Sequence, residues 1–345
     1  MRKKLEKAAA ESILVGSRVT LAGEMKLSEA LAELEKQTKN KLVDFRDQFS
    51  QPQLDPALKL ELKDVPYWTA LNTVLEQAGL QLYAYTNEPN TLGYVARSGE
   101  LTAAGQAAAT ELFRMEVIRL QAIRDLRDEQ NQGLVLTVEV TWEPRLTPIS
   151  ISQSLSNLKV KDDKGNSLKP LSSRGITNLS VQPGIQSVEL ELPFELPSRE
   201  IQKVSLAGEL NAVVPAGNMT LEFDDLDNAR ETTKGGGALS VILLRARKSQ
   251  GLYDLRLLLR FGEASEEMRM QRGWVYSNEA YLLDPEGEQV EYAGLENFRE
   301  NQDEIGLSYK YDIPGDLKGY KFVYKSPSSV LNVPVKYEIK EIVLP

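Results

Sequence analysis

From about residue 110 to the end of the chain, apolar and polar residues alternate in short runs broken by turn signals every 8–12 residues or so. That rhythm admits strands and leaves little room for helices, whose buried face needs an apolar residue at every third or fourth position. Leu134–Trp142 is the clearest run, with Leu134, Leu136, Val138 and Val140 on one face. Val188–Phe194 and Met219–Phe223 read the same way.

Within this region one half echoes the other. Asp162-Asp163-Lys164-Gly165 corresponds to Asp284-Pro285-Glu286-Gly287, Phe194-Glu195-Leu196-Pro197 to Tyr311-Asp312-Ile313-Pro314, and Leu221-Glu222-Phe223 to Tyr337-Glu338-Ile339. A period of roughly 115 residues is far longer than a solenoid repeat and implies a duplicated domain. Seven or so strands in that length resemble an immunoglobulin-like β-sandwich, here without its disulfide. The expected halves are residues 104–228 and 238–345, joined by a linker over 229–237 whose Gly235-Gly236-Gly237 suits a flexible join.

The N-terminal part has a different pattern. Leu27, Ala30, Leu31 and Leu34 line one helical face, and about 40 residues later Tyr67, Ala70, Leu71 and Val74 line another. Pro66 suits a helix start and Gly79 a left-handed exit, with Asn40 near the matching exit of the first copy. Short apolar runs flank each helix, and Leu58, Leu60 and Leu62 alternate with Lys59 and Glu61 as a half-buried strand does. Two β-α-β halves over 15–98 follow, with an alanine-rich link over 99–110 and a basic leader or appended segment over 1–14. Glu6 and Glu11 interrupt that segment, which has no apolar core of a secretion signal.

The string Leu27-Ser28-Glu29-Ala30-Leu31, with Leu34 and Gln37, then Leu60-Glu61-Leu62-Lys63-Asp64-Val65 leading to Ala70-Leu71 and Leu75-Glu76-Gln77-Ala78-Gly79-Leu80, resembles the secretin and TonB N-terminal short domain. The resemblance covers about a quarter of the chain and rests on core and turn residues; the insert Asp47–Pro56 departs from the tightest versions. It implies a periplasmic module making protein–protein contacts. Neither a secretin ring nor an outer-membrane barrel follows here, so the family's transport role is not implied. The expected fold is thus multi-domain, α+β and all-β: a small βαβ-βαβ domain followed by two duplicated immunoglobulin-like sandwiches.

Composition narrows the chemistry. The 345 residues include no His and no Cys, which removes Ser-His-Asp and Cys-His catalysis, thiolate metal sites and HExxH zinc chemistry. A net charge of -9, from 41 basic and 50 acidic residues, argues against nucleic acid as a partner. Runs of about 18 apolar residues are missing, so no membrane-spanning segment is expected. Carboxylates remain, but a glycosidase needs two of them facing across a cleft. Glu139, Glu189, Glu191 and Glu222 occupy the polar positions of strands, which face water.

Two candidate sites emerge. Glu222, Asp224, Asp225, Asp227, Asn228 and Glu231 cluster at the expected junction and match the six to eight or so oxygen ligands of calcium. A solvated acidic linker accounts for the same residues, and Lys340-Glu341 replaces Asp224-Asp225 in the second repeat. Trp274 is the aromatic least tied to a strand and a candidate binding-surface residue; Trp68 and Trp142 read as packing. The tyrosines crowding the last domain suit strands better than a partner surface. The expected role is a non-catalytic binding or scaffold protein of the cell envelope, periplasmic or at the cell surface, contacting another envelope protein or a glycan. The alternative is a carboxylate-based hydrolase acting on glycans.

Overall fold

A computed structural model describes residues 14–86, 88–97, 107–128, 132–171, 175–182, 184–236, 239–262 and 272–344. Strand accounts for 58% and helix for 12%, so the protein is largely β, as the alternation requires. Expectations for residues 1–13, the alanine-rich stretch 101–106, Gly237 and the charged run 263–271 fall outside the described residues. The chain forms two compact units, one of Glu11–Val214 with Val333–Pro345 and one holding Pro215–Asn332.

The first unit begins with an α/β module. Strand β1 (Arg18–Lys26) leads into helix α1 (Leu27–Thr38) and strand β2 (Lys41–Asp44). Strand β3 (Ala57–Pro66) leads likewise into helix α2 (Tyr67–Gln77), β4 (Leu80–Tyr83) and β5 (Thr91–Ala96). β1 pairs antiparallel with β3, while β2 runs parallel and β4 antiparallel to β5. The helical faces read from the spacing are the buried ones: Ala30, Leu34, Tyr67, Ala70, Leu71 and Val74 are fully enclosed. Each such leucine or valine contributes about 1.5–3 kcal/mol by leaving water.

The twofold repeat is also written in hydrogen bonds. The Gln37 side chain bonds the backbone N–H and C=O of Thr20, both at 2.9 Å. Gln77 does the same to Lys59 at 3.2 and 3.0 Å, so each helix end clamps the strand before it. Gly79 takes the left-handed exit of α2, but the corresponding residue of α1 is Lys39, with φ 61°. Asn40 is instead buried and serves another purpose, described below. The insert after β2 is tied down by Arg46, which pairs with Asp44 at 2.6 Å and donates to the Leu54 carbonyl at 2.8 Å. From its end, Asp55 accepts the Ser28 N–H and hydroxyl, capping α1 from a distance. Those bonds hold the Asp55 carboxyl below the usual carboxylate range.

The rest of this unit is β. Strands β6 (Ala107–Ala109), β7 (Phe113–Arg124), β8 (Gln132–Trp142) and, further on, β13 (Ser187–Phe194) form one antiparallel sheet in the order β13-β8-β7-β6. Between them the chain supplies β9 (Ser150–Ser154), β10 (Lys159–Asp162), β11 (Ser167–Leu168) and β12 (Ile176–Ser180) to a second sheet. There β11, β10 and β14 (Lys203–Phe223) follow in order, with β9 bridging β14 and β12. Leu134, Leu136, Val138 and Val140 are all fully buried, as is Trp142. Part of the expected 99–110 link is therefore strand β6.

In the second unit, β15 (Thr232–Gly236), β16 (Leu239–Ser249), β17 (Leu252–Phe261), β20 (Gly294–Glu300) and β21 (Glu304–Tyr311) form a sheet ordered β15-β16-β17-β21-β20. β18 (Ala280–Leu283), β19 (Gln289–Glu291) and the part of β22 (Lys321–Val343) up to Asn332 follow in the order β22-β18-β19. The order β6-β7-β8-β13 thus has its counterpart in β15-β16-β17-β21, and β11-β10-β14 in β19-β18-β22. Two turns match bond for bond. Asp162 accepts Lys164 and Asn166 N–H groups on its side chain and Gly165 N–H on its carbonyl; Asp284 accepts Glu286, Glu288 and Gly287 identically. Gly165 and Gly287 sit at φ 85° and 88°, where a side chain would be strained.

The expected 229–237 linker is corrected here. Leu226–Asn228 is a short 3-10 turn pinned by buried Leu226, and Thr232–Gly236 pairs with β16 as an edge strand. Gly235 and Gly236, paired along a neighbouring strand, are not free to act as a hinge. Three tyrosines of this unit follow the strand reading, Tyr309, Tyr311 and Tyr324, enclosed around Phe322 with ring centroids 5.8–6.5 Å apart, while Tyr276, Tyr292 and Tyr320 lie outside strands.

Candidate functional site

The junction acids do not come together. Asp224 pairs with Lys321 at 3.6 Å, Asp225 accepts the Asn228 amide at 2.9 Å, and Lys234 donates to the Glu222 backbone carbonyl. Asp225 and Glu231 sit at φ 51°, each turning the chain sharply. Among the described residues, no group of three or more acidic side chains is placed to hold a metal. The expected calcium ligands Glu222, Asp224, Asp225, Asp227, Asn228 and Glu231 are thus not gathered into one such group. Trp274 is likewise no surface platform. A 3-10 helix over Arg272–Ser277 folds it inward to 3% exposure, edge-on to Phe261 at 6.3 Å.

What the sequence concealed is a buried carboxylate. Glu143, one residue past β8, has no exposed surface. It accepts the Ser17 N–H at 2.9 Å, the Ser17 hydroxyl at 2.6 Å and the Asn40 amide at 3.2 Å. Arg145 Nε completes the set at 2.7 Å, while the Arg145 N–H donates back to Asn40 Oδ1 at 3.2 Å. A buried charge is tolerated only when its lone pairs are filled in this way. The network fastens the entry to β1 and the exit of α1 to the end of β8.

A second polar seam joins the same parts. Glu116, Glu139 and Glu189 stand opposite one another on β7, β8 and β13, and so share one sheet face. Arg114 binds Glu116 at 2.6 Å and Asn72 of α2 at 3.2 Å; Tyr85 donates to Glu189 at 2.8 Å. Burial and the neighbouring Glu116 charge push the Glu139 carboxyl up, against the expectation that it is a solvated strand residue. Glu189, Glu191 and Glu222 are exposed as expected.

A further feature is a cleft of about 330 Å³ at the end of the β7–β8 hairpin. Leu134, Leu196, Ile201 and Leu344 supply apolar walls, and Arg124 and Arg199 stand at its rim. The last strand closes one side, through the Leu344 N–H bonded to the Gln202 carbonyl at 2.8 Å. Lys164 binds Glu200 at 2.7 Å, so the acid adjoining Arg199 is already engaged. Neither Arg124 nor Arg199 has an ion-pair partner among the described residues. Among the described residues, no carboxylate lines the cleft and its charged groups are the two arginines, in a chain whose net charge is -9.

Fold and site together define a largely β protein with an α/β module fastened to its first β-body and an arginine-rimmed cleft in that body. Compared with known proteins, the chain matches no family model, no curated protein and no solved structure.

Proposed function

We propose that this chain is a non-catalytic binding or scaffold protein of the bacterial cell envelope, periplasmic or at the cell surface, whose partner is another envelope protein or a glycan. In this reading the α/β module is a short domain of the secretin and TonB kind, and two duplicated immunoglobulin-like sandwiches follow it. The matched strand orders and the paired Asp162 and Asp284 turns support the duplication. The observation that carries the binding role is the cleft: apolar walls with two unpaired arginines suit recognition, and among the described residues its lining holds no pair of acids for hydrolysis.

One observation favours the glycan-hydrolase alternative, the raised Glu139 carboxyl beside Glu116. These acids lie on adjacent strands beneath Tyr85 and Arg114 rather than across a cleft, so the binding role is preferred. The test is in-cell cross-linking from a photoreactive residue placed at Ser198, on the cleft lining, followed by cell fractionation. A discrete envelope adduct supports the proposal. A cytosolic chain without adducts, or glycan hydrolysis abolished by Glu139→Gln, overturns it.

A further inference from the structure

We propose that the arginine-rimmed cleft receives the C-terminal residue of a partner polypeptide, with an apolar last side chain seated among Leu134, Leu196, Ile201 and Leu344 and its free carboxylate held by Arg124 and Arg199. The inference rests on the binding role proposed above and names the chemistry of its ligand.

Charge is the first argument. An acidic protein repels anions in general, yet here two guanidinium groups flank one opening and no acid of the described chain neutralises either. Guanidinium groups present paired donors that match a carboxylate, and an anion at such a rim gains charge-assisted hydrogen bonds. The apolar walls are the second. Leu134 is fully buried and Ile201 nearly so, which makes them a firm floor rather than mobile surface. Between the apolar floor residues and a cationic rim, the complementary molecule is apolar at one end and singly anionic at the other.

Size selects the peptide terminus. A space of about 330 Å³ is at the small end of ligand sites and suits one large side chain with its carboxylate. A long acyl chain would project from it. Beyond the rim, Ile123 and Leu126 are 51% and 89% exposed, apolar surface over which the preceding residues of an extended peptide can lie.

The experiment is fluorescence anisotropy on the full chain with a labelled Gly-Ser peptide ending in two leucines, as free acid and as C-terminal amide. The free acid is expected to bind at least about tenfold more tightly than the amide, and to weaken by a similar factor in Arg124→Gln with Arg199→Gln. Both arginines are exposed, so the double variant should keep the parent melting temperature, which separates lost recognition from lost folding. Equal binding of acid and amide, no binding at millimolar peptide, or decanoate binding while the peptide does not, overturns the inference. Persistence of cross-links at Ser198 in those cases leaves the general binding role standing, and their loss ends both.

Discussion

At the residue scale, Glu143 shows how a side chain that looks ordinary in sequence becomes structural. Its charge is enclosed and Arg145, about a quarter exposed, is its counter-ion. Arg145→Ala strands that charge among Ser17 and Asn40, and the first unit should lose about 3 kcal/mol, the lower end of the cost of breaking a buried pair. Urea unfolding followed by circular dichroism measures it. Glu139 works in the opposite sense. Its folded carboxyl titrates above the 4.5 of a free glutamate, so folding takes up a proton between those two values. The stabilisation is complete below the unfolded value and is lost as pH rises through the folded one. Glu139→Gln should therefore be at least as stable as the parent at pH 7, with a flatter dependence between pH 4 and 7 in the same urea assay.

Elements meet closely in the first unit where glycine permits it. A Cβ on Gly208 of β14 would lie 2.7 Å from the Tyr337 hydroxyl, which itself donates to Gln153 at 3.0 Å. Gly208→Ala must push Tyr337 off that buried amide, at a cost of about 1–3 kcal/mol seen as a lower melting temperature. The Gln37 and Gln77 clamps are the element-scale mark of the N-terminal repeat. Either residue changed to Ala leaves a strand N–H and C=O to water at about 1 kcal/mol, and hydrogen exchange at Thr20 or Lys59 should quicken in the matching variant.

At the scale of the whole molecule, the chain returns to where it began. The last strand re-enters the first unit at Val333 and buries Ile339 and Ile342 completely. Ending the chain after Asn332 should therefore destabilise residues 14–214, far away in sequence, and limited proteolysis should cut that truncated protein first in β7–β10. Survival of that region intact would show that the return is dispensable.

Periodicity by itself settled the local elements. The spacing of Leu27 to Leu34 and of Tyr67 to Val74 specified two helices and their buried faces, and the alternation from Leu134 to Val140 specified a buried strand, because such patterns depend only on neighbours along the chain. The echo between the Asp162 and Asp284 turns was legible for the same reason. Tertiary structure decided the rest. Asn40 stopped being a helix exit and became a ligand of Glu143; Thr232–Gly236 stopped being a linker once β16 offered it hydrogen bonds; Trp274 was drawn inward by Phe261. The cleft was least visible of all, since Arg124, Arg199 and Leu344 share no local pattern. Ser17 and Glu143 stand 126 positions apart, and whether two such groups meet depends on the packing of everything between them.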